Sequence, residues 1–97
     1  MILRLSSEAD IDYTESVLFY LTEESPQSAD RFTEELENTY RAILEAPYRN
    51  RIIEFGLREK RVKGFPFSVL YLIEGNEIFV EAIYHDDRKR SKLKRRI

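Results

Sequence analysis

Six side chains in the second half of the sequence have the makings of a phosphate-handling site: Arg58, Arg61, Lys63, Tyr84, His85 and Arg88. His85 is the one histidine of the chain. An imidazole with an ordinary pKa of about 6.5 can take or give a proton near neutrality. Guanidinium and ammonium groups stabilise developing negative charge, and Tyr84 can present a hydroxyl. Each residue also has a plainer reading. His85 can pack at a strand end and bond backbone or Arg88, and the cations can be ion-paired or solvated on a strand face. The nearby carboxylates, Glu54 and Glu59, fit best on the surface. With no cysteine and a single histidine, thiol nucleophiles, disulfides, Cys-ligated zinc, iron–sulfur clusters and His-rich metal sites are excluded. No metal and no cofactor is expected.

The elements that must position these groups come from 97 residues, one domain's worth of chain. With 42% hydrophobic and 35% charged residues, the composition fits a soluble globular fold and excludes collagen-like or low-complexity chains. No apolar run approaches the ~18–20 residues of a membrane span, and the opening Met-Ile-Leu-Arg-Leu is too short for a signal peptide, so a cytoplasmic protein without membrane contact is expected. The net charge of −2 is unevenly spread. Residues 1–50 carry 11 acids and 4 bases, residues 51–97 carry 7 acids and 12 bases, and seven of the last ten residues are Lys or Arg. That asymmetry points to an acidic or nucleic-acid partner for the second half, with a solvated tail as the alternative. We expect a single domain over 1–97 with a basic tail over 88–97.

Along the chain, Ile2–Leu5 reads as a short strand. Ser7 followed by Asp10 marks a helix start, and Ala9, Tyr13, Val17 and Tyr20 repeat at helical spacing, predicting a helix near Glu8–Glu23. Ile11 and Leu18 fall on a different face of it, which is either exposed or meets another chain. Ser25-Pro26 opens a second helix, whose apolar stripe is Ala29, Phe32, Leu36, Tyr40 and Ile43 and which ends before Pro47. Its opposite face pairs Glu37 with Arg41 at the favoured spacing. A loop follows around Tyr48–Gly56, then a weak strand signal over 58–65 and a strong one over 67–73. Gly75-Asn76 is a hairpin turn, and the last strand runs over 77–85 with Ile78, Val80, Ala82 and Tyr84 alternating against Phe79, Ile83 and His85. The fold class is therefore α+β, β-α-α-β-β-β, with an N-terminal helical hairpin on one face of an antiparallel sheet. A second sheet face that the helices leave uncovered must be concave or must bind something.

In order and spacing these residues resemble the ParE/RelE superfamily of plasmid stabilization toxins. The resemblance rests on the run from Tyr20 through Ser25-Pro26 to Ala29 and Phe32; on Pro47; on Gly56-Leu57-Arg58, Phe65-Pro66-Phe67 and Tyr71; and on His85-Asp86-Asp87-Arg88. After His85-x-x-Arg88 many members carry a proline and an aromatic residue, and this chain does not. The resemblance implies a toxin of a type II toxin–antitoxin system, neutralised by a cognate antitoxin, as a homodimer or a toxin–antitoxin heterotetramer. Two activities share the fold, and fold alone does not choose between them. The ParE-like branch poisons DNA gyrase without chemistry of its own. The RelE-like branch is a metal-independent endoribonuclease that cuts mRNA on the ribosome. A nuclease needs a base for the ribose 2′-OH, cations at the scissile phosphate and an acid for the leaving oxygen. Here the candidates are His85, Arg88, Arg58, Arg61 and Lys63. The missing second acid/base group and the acidic first half favour the gyrase-binding branch. For contact with target or antitoxin the expected residues are Arg58, Arg61, Tyr71, His85, Arg88 and Leu18.

Overall fold

The computed structural model describes residues 1–87. The elements run β1 (Ile2–Leu5), α1 (Ser7–Glu23), α2 (Pro26–Glu45), β2 (Ile52–Glu54), β3 (Leu57–Arg61), β4 (Phe67–Glu74) and β5 (Glu77–His85). They form the expected α+β arrangement of a helical hairpin on a sheet, with strand order β1-β5-β4-β3-β2. The sheet is antiparallel from β5 to β2, while β1 lies parallel to β5 at the edge. Among the described residues no helix is long and apolar enough to cross a membrane.

Helix α1 starts one residue earlier than Ser7 and Asp10 suggest. Ser6 is the cap, its Oγ accepting from the Ala9 amide at 3.1 Å. The start of α2 is as expected: Ser25 Oγ accepts from the Ser28 amide at 3.0 Å, and Pro26 fills the first turn, where its missing N–H leaves no bond unmade. On α2's outer face Arg41 donates to Asn38 Oδ1 at 2.7 Å. Phe32, fully buried, has its ring centroid about 5 Å from those of Tyr20, Phe65 and Phe67, so the Phe65-Pro66-Phe67 run clamps the sheet onto both helices.

The loop expected around Tyr48–Gly56 contains a strand. Glu54 pairs with Leu57 across a two-residue turn in which Phe55 (φ 54°) and Gly56 (φ 76°) both lie in the left-handed region. Such a turn matches the twist of a hairpin but normally recruits Asn, Asp or Gly. A phenylalanine at its first position hides the signal.

The expected alternation of β5 breaks in its middle. Leu70 pairs with Ala82 but Tyr71 pairs with Val80, so Glu81 is an extra residue, a β-bulge. One inserted residue shifts the phase of all that follow. Ile78 and Val80 face the helices, as does Ile83, while Ala82 and Tyr84 turn to the far face with Leu57 and Leu70. The sequence pattern placed Ala82 and Tyr84 with Ile78 and Val80; the bulge reverses that. Ser6 and Asp12 hold it. The Ser6 amide donates to the Val80 carbonyl at 2.9 Å, Ser6 Oγ donates to the Glu81 carbonyl at 3.4 Å, and the buried Asp12 carboxylate accepts from the Ile83 amide at 3.0 Å.

Tyr40 completes the helical stripe, but its hydroxyl is buried and makes no hydrogen bond among the described residues. Burial, with Glu37 adding to it, pushes the phenol's pKa above its ordinary value. The folded state therefore keeps a proton that the unfolded chain releases above about pH 10. Stability from this group is present below that pH and is lost as the pH climbs beyond it. Tyr40→Phe is expected to leave the melting temperature near pH 7 almost unchanged and to flatten its fall above about pH 10, as read by thermal denaturation across pH.

Candidate functional site

Arg58 and Tyr71 sit opposite one another on β3 and β4, and both point at the segment that leaves α2. The Tyr71 hydroxyl donates to the Pro47 carbonyl at 2.6 Å and accepts from Asn50 Nδ2 at 3.1 Å. Arg58 Nη1 donates to the Asn50 carbonyl at 2.6 Å and the Tyr48 carbonyl at 3.3 Å, and its guanidinium lies 5.3 Å from the Tyr48 ring centre. Together they fasten residues 47–50 to the sheet. Tyr71 is fully buried, so its expected place on a contact surface is corrected to one in the core. Tyr71→Phe is expected to cost about 1–2 kcal/mol, seen as a lowered unfolding midpoint, because both bonds to the loop are lost.

Arg61 and Lys63 lie elsewhere. Arg61 pairs across the sheet with Ser68, on the far face, and forks onto Asp86 with bonds of 3.0 and 2.8 Å. The bond and charge of Asp86 raise the Arg61 pKa. Lys63 lines a shallow depression with Arg31, Glu34, Glu35, Gly64 and Phe65, against α2.

His85 stands opposite Phe67, on the helix-facing side, with the two rings edge to face at 5.3 Å between centroids. Its Nδ1 accepts from the Asp87 amide at 3.2 Å, which leaves Nε2 to carry the proton of the neutral ring. Here it lines a cleft of about 290 Å³ with Glu15, Ser16, Phe19, Phe67 and Asp87. Glu15 and Phe19 carry no motif, and only the helical register brings them to His85.

The nuclease candidates therefore diverge. Arg58 pairs with Tyr71 and His85 with Phe67, four residues or about 13 Å apart along β4. Arg61 is on the opposite face, and Arg88 lies outside the described residues. Among the described residues no group of three or more His, Cys, Asp or Glu side chains is arranged to hold a metal ion.

Leu18 is 52% exposed on α1, as expected of a face that meets solvent or another chain. Ile11 (57%) shares that face, and Phe19 (52%) extends it to the mouth of the His85 cleft. The inward side of α1 is correspondingly mixed, with buried Ala9 and Tyr20 beside buried Asp12 and Ser16. A helix that sinks a carboxylate and leaves Ile, Leu and Phe in water is arranged for more than its own core.

Residues 3–90 match the family model described as ParE toxin of type II toxin–antitoxin system, parDE. The fold is similar to the solved structure of the chromosomal ParDE TA system from P. aeruginosa, with a TM-score of 0.78 at 20% identity, covering 88% of this chain and 95% of that one. No match was found among curated proteins.

Proposed function

The chain belongs to the ParE toxin family of type II toxin–antitoxin systems, and we propose that it arrests growth by binding DNA gyrase and trapping it on DNA, and that a cognate antitoxin neutralises it. The observation that carries the choice of mechanism is the divergence of Arg58, Arg61 and His85. Strand cleavage at a phosphate requires a base, a cation and an acid around one reacting centre, within hydrogen-bond reach. Here one arginine holds backbone carbonyls, another holds Asp86, and the histidine faces α1. That arrangement suits a protein that works by surface contact. Leu18 and Ile11, with Phe19 and His85 beside them, form the contact face on α1 that we assign to the antitoxin. Arg58, bonded to the Asn50 carbonyl, and Arg61, bonded to Asp86 on the opposite side of the sheet, lie away from that face, so a part for them in target contact, like one for Arg88, rests on the sequence alone.

Purified gyrase provides the test. Supercoiling of relaxed plasmid should fall as toxin is added in excess, and recover when antitoxin is supplied. Unaffected supercoiling removes the proposal. Primer extension on an mRNA translated in vitro reads the other branch: codon-spaced cuts that vanish with His85→Ala or Arg88→Ala would establish a nuclease instead.

A further inference from the structure

Two solvent-facing rings stand beside β2. Tyr48 is 63% exposed on the segment that leaves α2, and Phe55 is 53% exposed at the tip of the β2–β3 turn. Neither serves the core. Phe55 holds φ at 54°, in the left-handed region where a bulky side chain is strained, and its ring meets no aromatic or cationic partner among the described residues. Glycine or asparagine would make the same turn without that strain. Backbone strain without compensating packing gathers at ligand sites. The surroundings are cationic. Residues 46–63 hold six bases and two acids, in a chain whose net charge is −2. The two acids, Glu54 and Glu59, are paired with Leu57 and Leu70 of the far face. Arg49 and Arg51 are exposed, and their side chains make no hydrogen bond or ion pair among the described residues. Lys60, paired with Val69, adds a cation on the helix-facing side of β3.

These groups are held in place before anything binds. Besides the bonds from Arg58 and Tyr71 to residues 47–50, the Arg49 amide donates to the Ala46 carbonyl at 3.1 Å, and the Arg51 carbonyl accepts from the Glu59 amide at 3.2 Å. The Arg58 guanidinium lies over the Tyr48 ring and steadies it. Pre-ordered groups lose little freedom on binding. The three residues of β2 separate Arg51 from Phe55 by about 13 Å, so one short strand of nucleotides can meet both. Exposed ring faces beside exposed guanidiniums fit a flexible chain of flat bases and phosphates. An acidic peptide would satisfy the cations but has no use for the rings. We propose that Tyr48, Arg49, Arg51 and Phe55 form a contact for single-stranded nucleic acid, the rings stacking on bases and the guanidiniums, with Lys60, meeting phosphates. DNA and RNA share that chemistry, whereas a duplex stacks its bases internally and fits less well.

Fluorescence anisotropy of a labelled oligo-dT about 20 nucleotides long, titrated with the full chain in about 50 mM salt, tests this. A dissociation constant of about 1–100 μM is expected, weakening as salt is added. Oligo-U should bind within a few-fold of it, and a preference beyond about tenfold for either would mean that the sugar is read, against the proposal. Phe55→Asn removes the ring but suits the left-handed turn, so binding should weaken about tenfold or more while the melting temperature holds or rises. Arg49→Ala/Arg51→Ala should weaken binding to a similar extent and flatten its salt dependence. Absence of binding overturns the proposal, as does binding that both variants leave unchanged, since the contact is then elsewhere on the chain. Equal affinity for the oligo-dT annealed to oligo-dA overturns it too. So does a poly-glutamate peptide that displaces the strand as well as unlabelled oligo-dT, because the occupant is then an acidic protein segment. A lowered melting temperature in Phe55→Asn would make the ring structural and overturn its role. Gyrase and antitoxin are absent from the measurement, so its failure leaves the gyrase proposal standing, and the reverse holds.

Discussion

Leu18→Asp is expected to weaken antitoxin binding by about 30-fold or more, while leaving the melting temperature of the isolated toxin within a few degrees. Leu18 is half exposed, so its side chain contributes little to the toxin's own core. At the centre of a buried interface a truncated or charged anchor typically costs about 2 kcal/mol or more, which corresponds to roughly 30-fold in affinity. The exposed neighbours Ile11 and Phe19 place Leu18 near the middle of the apolar face rather than at its edge. Calorimetric titration against the antitoxin, with a melting curve as the folding control, reads both quantities. Unchanged affinity would move the antitoxin contact off α1.

Asp12→Ala acts in the opposite way, on stability. The Asp12 carboxylate is buried and accepts the Ile83 amide at 3.0 Å, two residues beyond the bulge at Glu81. Beyond Val80 the outer edge of β5 has lost β1 as a partner, because the chain has turned into α1. Removing the carboxylate leaves a buried N–H without its acceptor, a loss of about 1–3 kcal/mol. For a domain of this size each kcal/mol moves the melting temperature by about 4–8 °C. Asp12→Asn keeps an acceptor oxygen and should lose markedly less. Equal losses for Ala and Asn would mean that the negative charge, and not the acceptor, matters at this position.

The helices were legible because their signals are local. Ser25-Pro26 caps and starts α2 with no help from the rest of the fold, and the stripe from Ala29 to Ile43 needs only the 3.6-residue period. The hairpin at Gly75-Asn76 was legible for the same reason, since glycine readily takes the positive φ of 57° seen there. What stayed hidden depends on tertiary partners. Asp12 looks like any acidic helix residue until Ile83 comes to face it. The bulge at Glu81 leaves no composition signal, yet it decides which side of the sheet Ala82 and Tyr84 occupy. Phe55 takes a left-handed conformation that phenylalanine seldom adopts, so no turn signal in the sequence marks β2.

The candidate site shows the same division. Motif residues were easily found, but their spacing in sequence carried no information about which face of the sheet each would join. Arg58 and Arg61 are three apart on one strand and so point to opposite sides. Leu18 was identified because it breaks the helical stripe, whereas Glu15 and Phe19 gain their place only from the proximity of α1 to the end of β5.

The central claim, that this toxin acts by holding gyrase on DNA and not by cutting a nucleic acid itself, is tested most directly by one assay. Supercoiled plasmid, gyrase, ATP and toxin are incubated, the proteins are digested, and the DNA is resolved on a gel. Linear DNA that rises with toxin, and is absent when gyrase is left out, is the predicted result. Plasmid left intact at every toxin concentration, by a preparation that nonetheless cleaves translated mRNA, would contradict it.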